Sequence, residues 1–340
     1  MIKLKKNLVL ALFLMLLISV SGCSGKKDVK KSLEEIRTGT EGISLSFLPN
    51  NPPATIHVAD ADTVFDVVLE LKNRGAYPQP DEDKKQQVAV YLSGYDRSIL
   101  NLVVNQEDVN RLSTSLEGKS NVNIIGGTDI VSFKGTITGN NLKVEKYEPT
   151  LLATACYQYF TTAGPSVCID PDPYSTLIQK KVCEVNDISL SSQGAPIAVT
   201  SIGEEAFQDK TQFKISIKNV GSGDVIKKEA VIANKCDPIA QDKIGRDDVD
   251  KVYLEEVTIG GTELECSPFA DGSVKGNKGN IRLINGEAYV VCELIKQGYD
   301  AYRISKTSFT TPLNIKLAYG YRTTAQRSLQ IKKEISSASS

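Results

Sequence analysis

The sequence predicts an all-β protein: two tandem β-sandwich domains that follow a signal peptide and a polar tether. Three observations predict it. Segments of the chain recur in the same order, short runs alternate apolar and polar residues at period two, and Gly/Asn turn signals separate those runs.

The recurrence sets the domain count. Ile43-Ser44-Leu45-Ser46 returns as Ile188-Ser189-Leu190-Ser191, 145 positions on. Val67-x-Leu69-x-Leu71-Lys72-Asn73-x-Gly75 returns as Phe213-x-Ile215-x-Ile217-Lys218-Asn219-x-Gly221, 146 positions on. Tyr157-x-Tyr159-x-Thr161-Thr162-Ala163 returns as Tyr319-x-Tyr321-x-Thr323-Thr324-Ala325, 162 positions on. The offset grows between the second and third matches, so the second copy is expected to carry about 16 extra residues. The expected divisions are a signal peptide over 1–22, a tether over 23–41, a first sandwich over 42–172, a second over 173–333 and a tail over 334–340.

The N-terminus reads as an address. Lys3, Lys5 and Lys6 precede a run of 13 residues, Leu8 to Val20, that is apolar apart from Ser19. That length suits a signal peptide and is short for a membrane span. The run ends in Val20-Ser21-Gly22-Cys23, which resembles the lipobox of prokaryotic lipoproteins. The resemblance implies that Cys23 is alkylated by a diacylglyceryl group, becomes the mature N-terminal residue and ties the chain to a membrane. The tether that follows is polar, with Lys26, Lys27, Lys30 and Lys31 clustered. It reads as a solvated spacer whose lysines add attraction to anionic headgroups.

In the body, Phe65, Val67, Leu69 and Leu71 alternate with Asp66 and Glu70, and Phe213, Ile215 and Ile217 alternate with Lys214, Ser216 and Lys218. Such alternation marks strands with one wet face. Each run stops at Asn-x-Gly, where asparagine satisfies local backbone groups and glycine permits a sharp turn. Further strands are expected over 88–92, 129–138, 151–160, 252–259, 280–283, 288–294 and 314–321. Residues 106–116 carry the best helical pattern. Cys168 to Tyr174, with Pro171 and Pro173, reads as a stiff connector between the domains.

Apart from Cys23 the chain has Cys156, Cys168, Cys183, Cys236, Cys266 and Cys292, an even set that predicts disulfides on an exported protein. Six cysteines allow 15 connectivities. At an offset of 162, Cys156 maps to Ala318 and Cys168 to Gln330, so both are lost together from the second copy. Their symmetric placement about Thr162 suits a hairpin, so Cys156–Cys168 is the expected pair. Cys266–Cys292 is expected across a glycine-rich loop, which leaves Cys183–Cys236.

Strand–Asn-x-Gly repeated in tandem on an exported chain resembles the immunoglobulin-like domains of prokaryotic surface proteins, notably the cell-adhesion-related CARDB type. With Tyr-x-Tyr-x-Thr in the last strands, the whole is also similar to lipoproteins of archaea. The resemblance implies immunoglobulin-like sandwiches and a surface role, and supplies no catalytic residues.

Composition excludes several chemistries. Net charge is −1 with both signs spread along the chain, which leaves no concentrated basic face for nucleic acid. A single histidine, His57, excludes multi-histidine zinc sites, and it reads as a surface or edge residue rather than a catalytic base. Asp170 with Asp172 at the connector, and Asp247, Asp248 and Asp250, read as solvated acidic groups; calcium at the junction is the lesser expectation. No catalytic residue, metal site or cofactor is expected. The expected function is a lipid-anchored envelope module for binding, adhesion or structure, with a membrane contact through Cys23 and a protein or cell-surface partner. The alternative is an accessory lipoprotein of a secretion or pilus apparatus. The expected recognition surfaces are the inserted segment of the second domain, placed at about Cys266 to Cys292, and any open sheet edge.

Overall fold

Every expected strand forms. The computed structural model describes residues 36–59, 61–78, 86–103, 111–175, 181–273, 275–295 and 307–334. The signal peptide, Cys23 and the lysine cluster of the tether lie outside the described residues. In chain order the strands are β1 (Ile43–Phe47), β2 (Thr55–Val58), β3 (Thr63–Asn73), β4 (Gln86–Ser93), β5 (Leu100–Val103), β6 (Arg111–Leu116), β7 (Thr128–Ile137), β8 (Lys146–Tyr147), β9 (Thr150–Ala163) and β10 (Ser166–Ile169). The second half gives β11 (Ile188–Ser189), β12 (Ile197–Ala206), β13 (Lys210–Asn219), β14 (Asp224–Ile226), β15 (Lys251–Ile259), β16 (Thr262–Glu263), β17 (Glu265–Ser267), β18 (Gly279–Arg282), β19 (Glu287–Ile295), β20 (Phe309–Ser328) and β21 (Gln330–Lys333). A short helix, α1 (Lys228–Ile232), precedes β15.

The fold is all-β, and alternation decides which side of each strand is buried. In β3, Phe65, Val67, Leu69 and Leu71 are buried; in β13, Phe213, Ile215 and Ile217 are. Each half has a sheet of its own, β1-β3-β7-β5 in the first and β11-β12-β13-β19-β17 in the second. Opposite both lies one sheet of nine strands, whose main path runs β16-β15-β20-β9-β4-β6. The halves therefore share a layer, and a single apolar cluster runs through both.

The join between the halves is a long antiparallel ladder. β9 pairs with β20 from Thr150↔Ser328 to Ala163↔Ile315. β10 continues in the same register, from Ser166↔Pro312 to Ile169↔Phe309. Gln158 lies opposite Gly320, its own counterpart at the repeat offset of 162. Tyr157 therefore faces Tyr321 while Tyr159 faces Tyr319. Reciprocal pairing of this kind is the mark of an isologous two-fold contact, here built inside one chain.

That symmetry corrects three expectations. Ile43 pairs with Asn73 in β1–β3, and Ile197 pairs with Asn219 in β12–β13. The counterpart of Ile43 is thus Ile197, and the Ile188 tetrapeptide belongs to the additional edge strand β11, so its likeness to residues 43–46 is not structural equivalence. The insertion is also placed differently. Ala89 and Tyr253 face the equivalent positions Cys156 and Ala318, so 16 positions separate Asn73 from Ala89 and 34 separate Asn219 from Tyr253. The 18 extra residues lie around α1 and the loop to Asp250, not between Cys266 and Cys292. Finally, residues 111–116, the described end of the expected helix, form β6 and pair with β4. Ladder pairing outweighs a weak local helical pattern.

The inserted segment packs on the outer face of the shared sheet. Ile226 and Cys236 form a small second core with Tyr91 and Cys156 of the first half, and Val231, Ile244 and Val249 pack against it. Gly320 sits beneath it; a Cβ there would come within 2.6 Å of Val231.

Candidate functional site

The repeated motifs turn out to be parts of one structural lock. Tyr159 Oη donates to Asn73 Oδ1 at 3.0 Å and accepts from the Tyr77 backbone N–H at 3.2 Å. Asn73 Nδ2 donates to the Tyr77 carbonyl at 2.7 Å. Gly75 leaves room for the phenol, since a Cβ there would lie 1.9 Å from Tyr159 Oη. The second half repeats this with Tyr321, Asn219 and Gly223, at 3.1, 2.8 and 3.0 Å for the corresponding bonds. Asn-x-Gly and Tyr-x-Tyr are thus two sides of one contact. Tyr157 and Tyr319 complete it: Ile43 N–H donates to Tyr157 at 2.9 Å, and Tyr319 meets Thr161 at 2.9 Å. Burial raises all four phenol pKa values, Tyr321 to about 12. The tyrosines are packing residues, not a ligand surface.

The structure joins Cys266 to Cys292, the expected pair, which face each other on β17 and β19. The other two pairs differ from expectation: Cys156 bonds Cys236, and Cys168 bonds Cys183. Cys156 and Cys168 cannot meet, because β9 and β10 run as one line along β20 rather than folding back as a hairpin. Cys156 points to the outer face and fixes the insertion there. Cys168, the first residue of the expected connector, is paired with Thr310 of β20, so the link is strand up to Ile169 rather than connector from Cys168.

His57 is exposed on β2, with Nδ1 4.0 Å from the Glu334 carboxylate. Asp170 is buried rather than solvated and is paired with the Lys181 ammonium at 2.5 Å, so a lysine stands where the lesser expectation put calcium. Asp248 holds Lys235 at 3.2 Å and accepts the Gly245 N–H. Among the described residues no group of three or more His, Cys, Asp or Glu side chains converges as metal ligands do. Glu204, buried at the β12 end, accepts the Cys168 N–H through Oε2 at 3.3 Å, while Oε1 has no hydrogen-bond partner. Burial pushes its pKa up to about 7.

An open groove of ≈ 810 Å³ lies on the outer face of the second half's own sheet. Outward residues of β13 and β19 form its floor, because their alternate neighbours are in the core. Lys218 lies opposite Glu287 and pairs with it at 2.6 Å. Lys214 places its ammonium 4.9 Å from the Tyr289 ring centre, a cation–π contact on a ring that is 54% exposed. Arg282 and Ile284 form the wall beside Pro268. Three cations against one carboxylate leave the groove positive, with an aromatic face at its middle. Half of the lining comes from 266–292, the segment expected to recognise a partner, although it is not the inserted one. The first half does not reproduce the chemistry, since Val68 and Ile130 stand where the second half has Lys214 and Tyr289. Sequence pattern alone does not single out the groove; its one signal is the pair of exposed lysines, Lys214 and Lys218, alternating with the β13 core residues.

No family model matches the chain, and no curated protein matches it. Among solved structures, the C-terminal domain of the AgI/II polypeptide BspA of Streptococcus agalactiae aligns over 86% of this chain and 98% of that one, at 8% identity and a TM-score of 0.16. A chain titled pT26-6p aligns over 92% of this chain and 70% of that one, at 9% identity and a TM-score of 0.18. Alignments at these scores carry no argument about function, which rests on the residues.

Proposed function

We propose that this chain is a non-catalytic binding module of the cell envelope, tied to a membrane by lipid on Cys23, whose second half holds acidic peptide segments in the β13–β19 groove. The groove carries the reading: Lys214, Lys218 and Arg282 outnumber Glu287, and Tyr289 offers an exposed ring between them. Three disulfides suit an oxidising compartment. Among the described residues no helix is long and apolar enough to cross a membrane; this reading assigns the membrane hold to lipid on Cys23, as the lipobox resemblance implies. The resemblance to CARDB-type domains of archaeal surface lipoproteins belongs to this same reading and favours an anchored, recognition role.

The test uses the mature chain extracted from its membrane. Titration with an eight-residue glutamate peptide should give saturable binding that weakens with salt. Lys214→Glu with Tyr289→Ala should weaken it at least tenfold. No saturable binding, or full affinity in that variant, removes the groove from the reading. Cys23→Ser should abolish the acyl mass on the mature chain; an unchanged mass would refute the anchor.

A further inference from the structure

Lys251 opens β15 and lies directly opposite Arg282 of β18. Its side chain faces the outside of the shared sheet, because Val252 and Leu254 fill the core. Lys251 is only 9% exposed as a whole residue: its aliphatic stem is covered while its ammonium still reaches solvent. Among the described residues, none of Lys227, Lys251 and Arg282 has a carboxylate within salt-bridge distance.

The neighbours increase the imbalance. Lys227, just before α1, is brought beside the start of β15 by the Ile226–Val249 bridge, and the fields of both Lys227 and Arg282 disfavour the Lys251 charge. Burial acts in the same direction and is the largest effect, while Asp247 is the acidic group that opposes it. Lys228 adds a fourth cation on this face, but its ammonium is engaged 4.0 Å above the Tyr253 ring. Backbone bonds hold the cluster in place. Lys227 N–H donates to Asp248 O at 2.7 Å, Asp250 N–H to Val225 O at 2.9 Å, and Leu283 N–H to Asp250 O at 2.8 Å. The strand pair and the insertion thus hold three cations together, none of them in an ion pair among the described residues, with Asp247 as the nearby opposing charge.

We propose that Lys227, Lys251 and Arg282 form a binding site for a tetrahedral oxyanion of the phosphate or sulfate class. Such an anion accepts from two ammonium groups and a guanidinium fork at once, and charge-assisted bonds to several donors suit it. Arg282 also lines the groove, so the groove and the site share that residue. The inference deepens the groove reading by assigning a doubly charged head group to the ligand, and it stands on residues, Lys227 and Lys251, that do not line the groove.

The experiment is equilibrium dialysis of the mature chain against labelled inorganic phosphate and, separately, sulfate, at fixed ionic strength set with chloride. One saturable site is expected, and the stronger arm identifies the anion class. Lys251→Met keeps the buried stem and should cut affinity at least tenfold; Lys227→Gln should cut it less. Lys332→Gln, an exposed cation on β21, should leave it unchanged. Absence of saturation, equal competition by chloride, or full affinity in Lys251→Met overturns the site. Failure of the glutamate peptide with retention of phosphate would reject the groove reading and keep the anion site, so the two fail separately.

Discussion

Tyr159 donates its hydroxyl to Oδ1 of Asn73 at 3.0 Å across 86 residues of sequence, and Tyr321 does the same to Asn219 at 3.1 Å. Asn73 is fully buried and each polar atom of its side chain is satisfied, so its loss strands several groups at once. Asn73→Ala should destabilise the fold by about 2–4 kcal/mol, from the cost of unpaired buried donors and acceptors. Asn219 is only half-buried, and Asn219→Ala should cost less. Gly75→Ala should be at least as damaging as Asn73→Ala, because its Cβ would also meet the Gly194 carbonyl at 2.6 Å. Urea denaturation monitored by circular dichroism measures all three. Equal stability of Asn73→Ala and the parent would show that the lock is ornamental.

The Cys156–Cys236 bridge spans 80 residues and ties an insertion of the second half to a strand of the first. On the chain-entropy model, removing it should cost about 4–5 kcal/mol, against about 3 for Cys168–Cys183, whose separation is 15. Double alanine variants and denaturant midpoints test the order. Peptide mapping without reductant should recover 156 joined to 236; a 156–168 peptide would contradict the ladder itself.

Glu293 is held by Lys210 at 2.8 Å and Lys275 at 2.7 Å, and these bonds lower its pKa to about 2. A depressed carboxylate pKa contributes stability above the unfolded value and loses it as pH falls toward the folded value. Glu293→Gln should therefore be less stable than the parent at pH 7, with the difference shrinking below about pH 4.5 and gone near about pH 2. A difference independent of pH would reject the ion-pair account.

Glu204 should show the opposite sign. Its pKa is raised to about 7 by burial, so the folded state binds a proton that the unfolded state has released, and the charge weighs against folding as pH rises from about 4.5 to about 7. Glu204→Gln should gain on the parent through that interval and then hold a constant advantage. A parallel pair of stability–pH curves would sink this expectation.

Period-two alternation showed the strands and their buried faces, as in Phe213-x-Ile215-x-Ile217, and the recurrence of Asn-x-Gly and Tyr-x-Tyr showed two related halves. What it hid was adjacency. Alternation says which side of β9 is inside, yet nothing in Tyr157-x-Tyr159 says that its neighbour is β20 rather than a strand of its own half. The cysteine pairs followed from that gap: Cys156 finds its partner on an insertion whose position only the register reveals. Arg111–Leu116 misled because pairing with β4, invisible locally, decides its form. The Ile188 tetrapeptide misled because four residues of alternating pattern recur by chance in an all-β chain. The Lys227–Lys251–Arg282 cluster was unreadable for the same reason as the lock, since its members come from three separated segments.

Gln158 opposing its own counterpart has a practical result for anyone dividing this protein. A fragment ending near residue 172 would leave β9 and β10 as a bare, unprotected margin. That margin is already self-complementary, because a second fragment can set its own Gln158 against the first. Such truncations should come out of purification as dimers, with the fused interior rebuilt between separate molecules.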